Sequence, residues 1–284
     1  MQIITTKSEL TRQVSACIRQ EKTIGFVPTM GALHQGHASL IQRACSENEV
    51  CYVSVFVNPT QFNNAEDLEK YPRNLQKDAD LLESLGVHFV FAPSPEEMYT
   101  DDEMQHAFSF DFNGLDEVME GKMRPGHFNG VVQVVSRLFE LVRPTRAYFG
   151  EKDFQQLAII RYMAERSEMA AQFEGIQIVG CPIVREESGL AMSSRNERLS
   201  AEERETAVGI SKTLISSMEW AKTATVAEVQ QRVVDTINAI EGLEVEYYEI
   251  VDKTTLQPTN TFDNAIGCIT VYCGPVRLID NIQY

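Results

Sequence analysis

Val27-Pro28-Thr29-Met30-Gly31-Ala32-Leu33-His34-Gln35-Gly36-His37 sets the architecture expected of this chain. Just upstream, Thr23-Ile24-Gly25-Phe26-Val27 is a short apolar run that predicts a buried strand. Downstream, His37-Ala38-Ser39-Leu40-Ile41-Gln42-Arg43-Ala44-Cys45 carries its apolar residues at helical spacing. The order is strand, glycine-containing turn, helix. Glycine lets a backbone approach a ligand closely, and the unpaired N–H groups and positive dipole end of a helix favour phosphate. His34 and His37 add two imidazoles at the mouth of such a site. They can donate to phosphate oxygens or, if protonated, offset charge as an α-phosphate is attacked. A plainer reading stands beside this one, with one buried structural histidine and one surface histidine flanking an ordinary turn.

The 284 residues suffice for one large domain and a smaller one. A hydrophobic share of 43% and a charged share of 23% are ordinary for a soluble globular chain. Met1 to Lys7 has no signal-peptide pattern and no apolar run nears the length of a membrane span, so the cytoplasm is the expected location and no membrane partner is expected. The six cysteines are scattered in apolar segments without a Cys-x-x-Cys pair, as expected of small core hydrophobes in a reducing compartment. With 25 basic and 41 acidic residues the net charge is −16, which argues against general binding to nucleic acid.

Around this turn the chain alternates strands and helices. Thr6-Lys7-Ser8-Glu9 has capping-box spacing ahead of a helix with Leu10, Val14, Cys17 and Ile18 on one face. Val50 to Val57 is the near-continuous apolar run of a central parallel strand, and it ends at Asn58-Pro59-Thr60-Gln61-Phe62. Ligands of open α/β sheets bind beyond the carboxyl ends of the strands, so this loop is expected beside the histidine turn. Asn74 to Leu85 predicts a helix with Leu75, Ala79 and Leu82 inward, and Val87 to Ala92 a strand in which His88 is structural. Residues 93–120 look irregular, with one short strand at 106–112, and 121–128 look like a basic loop before a helix with Val131, Val134, Val135, Leu138 and Val142 inward. Ala147-Tyr148-Phe149 followed by Gly150-Glu151-Lys152-Asp153 repeats the junction of strand, glycine and helix, and a lysine at a helix start is unfavourable unless an anion is near. A strand region at 176–184 leads into the polar loop containing Met192-Ser193-Ser194-Arg195-Asn196, whose hydroxyls and arginine suit phosphate oxygens. Beyond it, capping boxes at Ser200 and Thr225 open two helices, and β-rich segments at 243–251, 265–272 and 276–282 close the chain. The expected fold is α/β, a Rossmann-like doubly wound parallel sheet (1–176) with a smaller C-terminal α+β domain (177–284).

Several blocks taken together resemble the pantothenate synthetase family, ATP-dependent ligases that join pantoate to β-alanine. They are Pro28 to His37, Val57-Asn58-Pro59-Thr60-Gln61-Phe62, Tyr71-Pro72-Arg73, Arg124-Pro125-Gly126-His127-Phe128, Phe149-Gly150-Glu151-Lys152-Asp153-Phe154-Gln155-Gln156 and Met192-Ser193-Ser194-Arg195-Asn196. Gln35 departs from the family's usual glutamate. The resemblance implies an ATP site at Met30, Gly31, Ala32, Leu33, His34, Gln35, Gly36, His37, Gly150, Glu151, Lys152, Asp153, Val184, Met192, Ser193, Ser194 and Arg195. It implies Gln61 and Gln156 for pantoate, with Gln61 also reaching β-alanine, and His37, His34 and Lys152 as the catalytic residues. It further implies adenylation of pantoate and attack on the adenylate by β-alanine, Mg2+ brought by ATP without a dedicated protein metal site, and a homodimer. Arg124 and His127 are expected as lid or pocket residues.

Overall fold

The computed structural model describes residues 1–62, 65–106 and 108–284. In chain order the elements are β1 (Gln2–Ile4), α1 (Lys7–Arg19), β2 (Ile24–Thr29), α2 (Gln35–Glu47), β3 (Val50–Val55), α3 (Ala65–Lys70), α4 (Leu75–Ser84), β4 (Phe89–Phe91), α5 (Pro95–Met98), α6 (Asp101–Gln105), α7 (Met119–Met123), α8 (His127–Val142), β5 (Arg146–Gly150), α9 (Phe154–Glu165), β6 (Gln177–Cys181), α10 (Ala201–Trp220), α11 (Val226–Asn238), β7 (Leu243–Asp252), β8 (Ala265–Cys273) and β9 (Val276–Gln283). Short 3-10 turns lie at Pro59–Gln61, Glu151–Asp153, Ala170–Phe173 and Ser194–Arg198. The residues group into two compact units. The first is Met1–Gly114, Arg124–Gly150 and Ile159–Cys181; the second is Leu115–Met123, Glu151–Ala158 and Pro182–Tyr284.

The first unit holds a six-stranded sheet in the order β1-β4-β3-β2-β5-β6, with every pairing parallel. The strand order reverses between β2 and β5, which makes the sheet doubly wound and puts the topological switch point at the carboxyl end of β2. Successive strand side chains face opposite sides, so each strand feeds two cores. Phe26 of β2 meets Phe139 of α8 edge-to-face at 6.5 Å, and Phe149 and Phe173 join the same cluster. Val27 faces the other way, into a core with Ile41 and Ala44 of α2 and Leu82 of α4. Burial on both faces is why β2 and β3 read as continuous apolar runs.

The second unit is built on the antiparallel sheet β7-β8-β9. One face carries Tyr248, Ile250, Ile269, Val271 and Leu278 against Ile210 and Leu214 of α10 and Val229, Val233 and Ile237 of α11. The capping boxes expected at Ser200 and Thr225 are both formed. The opposite face is polar. Arg277 donates to both Glu120 oxygens at 2.8 and 2.6 Å, and the hydroxyls of Tyr247 and Thr270 donate to the same carboxylate at 2.9 Å each. Four donors on one half-buried carboxylate tie α7 to the sheet, since removing one partner of such a pair strands the other charge.

Several sequence expectations change. Residues 108–112 form no strand, and Ala107 lies outside the described residues. Residues 93–123 instead contain the short helices α5, α6 and α7, of which α5 and α6 are capped by Ser94 and Thr100. The basic segment 121–128 is not one loop, because α7 runs to Met123 and α8 starts at His127 with Gly126 at φ 81° as its N-cap. Leu75 and Ile18 face outward, at 41% and 36% exposure. Thr6 caps α1 as expected, but Glu9 turns away to accept from Gln2, so that box is half made. His88 lies just before β4 and serves structure, its Nδ1 accepting the Cys51 N–H at 3.1 Å.

Candidate active site

The predicted site residues divide between the two units, and each half has its own construction. In the first unit β2 ends at Thr29, whose hydroxyl donates to Ser54 O at 2.6 Å and accepts from the Gly31 N–H at 3.2 Å. The chain then turns through Gly31 at φ 80° and Ala32 at φ 51°. A side chain at position 31 would be strained in that conformation, and its Cβ would lie 2.8 Å from Asp78 Oδ2. Asp78, buried on α4, holds the turn by accepting the N–H groups of Ala32 at 3.0 Å and Leu33 at 2.8 Å.

His34 is the N-cap of α2 and His37 its third residue, and the two cap reciprocally. His34 Nδ1 accepts the Gly36 N–H at 3.1 Å, while His37 Nδ1 accepts the His34 N–H at 3.3 Å. Both rings are half-buried, with centroids 4.1 Å apart. An Nδ1 that accepts carries no proton, so the hydrogen-bond partners assign both imidazoles as neutral Nε2–H tautomers. The plainer sequence reading, one buried and one surface histidine, does not hold, since both rings are half-buried and cap the helix together. The cap that completes the helix engages Nδ1 of each ring and so sets both imidazoles at the positive end of α2. Gln35 between them is exposed.

Gln61 sits in the turn after β3 and is brought to the histidine turn, with its Nε2 3.1 Å from Met30 Sδ. Asn58, buried, donates to Gln61 Oε1 at 3.2 Å and to Gly130 O at 3.0 Å, and accepts the Tyr99 hydroxyl at 2.9 Å. His127 Nδ1 donates to Gln61 O at 2.8 Å, because its Nε2 accepts from Arg124 at 3.3 Å and arginine cannot accept. Arg124 and His127, expected at a lid or pocket, thus support the Gln61 main chain. Gly130 makes the approach of α8 possible, since a Cβ there would lie 2.5 Å from Thr60 O and 2.6 Å from Gln61 Cα. A cavity of about 440 Å³ opens beside the turn, lined by Met30, Val55 to Val57, Pro59, Leu68, Arg73 to Leu75, Asp78, Ala92, Pro93 and Pro95. Gly150 ends β5, the strand that pairs with β2 across the switch point.

In the second unit Glu151, Lys152 and Asp153 form a 3-10 turn. The Lys152 side chain is 16% exposed and its ammonium lies 3.3 Å from Asp153 Oδ1. On α9 the adjacent glutamines separate in role. Gln155 is buried and donates to Leu115 O and Val118 O at 2.8 and 2.9 Å, whereas Gln156 is half-buried. Val184 and Met192 are brought together by a main-chain bond of 3.0 Å, so residues 185–191 fold as a small hairpin. Ser193 then caps the 3-10 turn Ser194–Arg198, accepting the Arg195 N–H at 3.3 Å, and all four residues from Met192 to Arg195 are half-buried.

Sequence reasoning missed Asp78, Asn58 and Gly130 as supports. The available signals were an acid on the apolar face of α4, three residues before Leu81 and four before Leu82, and a glycine inside the apolar helix α8. Among the described residues no helix is long and apolar enough to cross a membrane.

Comparisons with known proteins agree with this architecture. The family model for pantoate-beta-alanine ligase matches residues 2–283. The pantothenate synthetases of Phocaeicola vulgatus and Bacteroides fragilis are 59% and 58% identical, each over 100% of this chain and 99% of the relative. The crystal structure of the pantothenate synthetase from Thermus thermophilus superposes with a TM-score of 0.91 at 41% identity, covering 100% of this chain and 99% of that one. The pantoate-beta-alanine ligase from Francisella tularensis, solved in complex with beta-gamma ATP and beta-alanine, superposes with a TM-score of 0.81 at 36% identity, covering 100% and 97%. A match along the whole chain, in sequence and in fold, makes this protein a ligase that belongs to the pantoate–β-alanine ligase family.

Proposed function

We propose that this ligase condenses pantoate with β-alanine in two steps, through a pantoyl adenylate, releasing pyrophosphate and then AMP. The observation that carries the reading is the reciprocal histidine cap, which holds two imidazoles through Nδ1 at the start of α2. Attack of the pantoate carboxylate on the α-phosphate builds charge on the phosphoryl oxygens. Preorganised donors lower that barrier most when they need not reorganise, and the cap and Asp78 fix these two in advance. Lys152, Ser193, Ser194 and Arg195 supply further donors and charge for the leaving pyrophosphate, with Glu151, Asp153, Val184, Met192 and the main chain from Met30 to Leu33 framing the nucleotide. Gln61 and Gln156 are neutral amides that hydrogen-bond pantoate without neutralising its nucleophilic carboxylate. The support for ATP and β-alanine as substrates is the family and the Francisella complex.

Mg2+ enters as part of the nucleotide. Phosphate-bound Mg2+ keeps several waters and needs no all-protein cage. In this reading residues 1–176 are the nucleotide- and pantoate-binding domain and residues 177–284 a C-terminal lid domain. A cytoplasmic homodimer goes with it on the ground of the family alone.

The test is release of pyrophosphate and AMP from ATP and Mg2+. Pyrophosphate release is expected to require pantoate, and sustained AMP formation to require β-alanine. ATP binding with no pantoate-dependent turnover would overturn the reading.

A further inference from the structure

Asn281 of β9 has an amide that a sheet position does not call for. It is 3% exposed, and burying an amide is costly unless its hydrogens are donated. Both go to one place, for Nδ2 lies 2.8 Å from Glu151 O and 3.0 Å from Lys152 O. Its neighbour Asp280, on the opposite side of the strand, is held as firmly. That carboxylate takes Arg185 at 2.7 and 3.0 Å and the Asn281 N–H at 2.8 Å. The carboxyl-terminal strand is therefore anchored where it grips the turn that bears Lys152.

We propose that Asn281 is a positioning residue for Lys152. By fixing two successive carbonyls it narrows the arc through which the lysine ammonium can swing, and a misplacement of about 1 Å in a charge that meets the reacting phosphates is enough to cost up to about a hundredfold in rate. The proposal rests on the role given to Lys152 above.

A double-mutant cycle on pantoate-dependent pyrophosphate release tests it. Asn281→Ala is expected to lower kcat about tenfold with the KM for pantoate unchanged, and to lower it less than about twofold when Lys152 is already alanine, since coupled residues are not additive. An equal loss in both backgrounds, or no loss in either, overturns the proposal. Lys152→Ala at the parent rate would instead end the reading of Lys152 itself, and this proposal with it. If Asn281→Ala does not fold, Asn281→Ser is run through the same cycle; its hydroxyl keeps one donation, and a smaller loss that still vanishes without Lys152 is expected.

Discussion

Asp78 and Leu33 are joined by a bond of 2.8 Å from the Leu33 N–H to a buried carboxylate whose other oxygen takes the Ala32 N–H at 3.0 Å. A turn with two consecutive positive φ values is held by one side chain from another helix. Asp78→Asn preserves the shape but sets an NH2 against one of the two N–H groups. The loss is about 1–3 kcal/mol, and at about 2–4 °C per kcal/mol the melting temperature falls by several degrees. Pyrophosphate release is expected to drop about tenfold or more, because the histidines lose their platform. A parent-like melt and rate would show that the turn holds itself.

The reciprocal cap separates two roles within one residue. His34→Asn retains an oxygen that can cap the helix, asparagine being among the best N-caps, but loses the Nε2–H donor. Stability should stay within about 0.5 kcal/mol of the parent, while in the proposed function pantoate-dependent pyrophosphate release falls by about a hundredfold, the usual cost of one lost transition-state donor. Thermal melts alongside pyrophosphate assays distinguish these effects. Lost stability with retained rate would invert the assignment.

Gly130→Ala places a methyl 2.5 Å from Thr60 O and 2.6 Å from Gln61 Cα. The expectation is overpacking strain of about 1–3 kcal/mol and displacement of Gln61. In the proposed function this raises the KM for pantoate about tenfold and leaves the KM for ATP little changed. Initial rates at varied pantoate and varied ATP check it.

Arg137 of α8 forms an ion pair with Glu103 of α6 and holds its carboxyl down at about 2. Because the folded value lies below the unfolded one of about 4.3, the unfolded chain binds more protons between them, and stability falls as pH falls through that window. The pair is present in full above about pH 5 and lost near pH 2. Its side chains are 25% and 33% exposed, so solvent screening keeps its worth to about 1 kcal/mol or less. Glu103→Gln should therefore lower the urea midpoint slightly at pH 7, with the difference shrinking as pH falls below 4. A difference that grows with acid would contradict the pairing.

The elements legible along the chain are those whose physics is local. Apolar runs doubly buried in a parallel sheet, such as 24–29 and 50–55, announce themselves because both faces are dry. The caps at Ser200 and Thr225, the C-terminal strands and the histidine turn were legible because a hydroxyl or glycine acts within four residues of its own position. The blocks carrying Gln61, Lys152 and Met192 to Arg195 were equally readable as loops at strand ends.

What holds those loops emerges from packing between distant segments. The helices at 95–98 and 101–105 are too short for periodicity to register, and β1 has three residues whose partner is β4, more than eighty residues away. Asp78 acts on Leu33 across 45 positions and Asn281 on Lys152 across 129. No pattern along the chain encodes such a bond, because a side chain's donors find their acceptors through packing, and packing is fixed only when distant segments meet. The same holds for the histidines. Their spacing pointed to a candidate site, but which nitrogen carries the proton followed from the N–H groups that folding brought to each Nδ1.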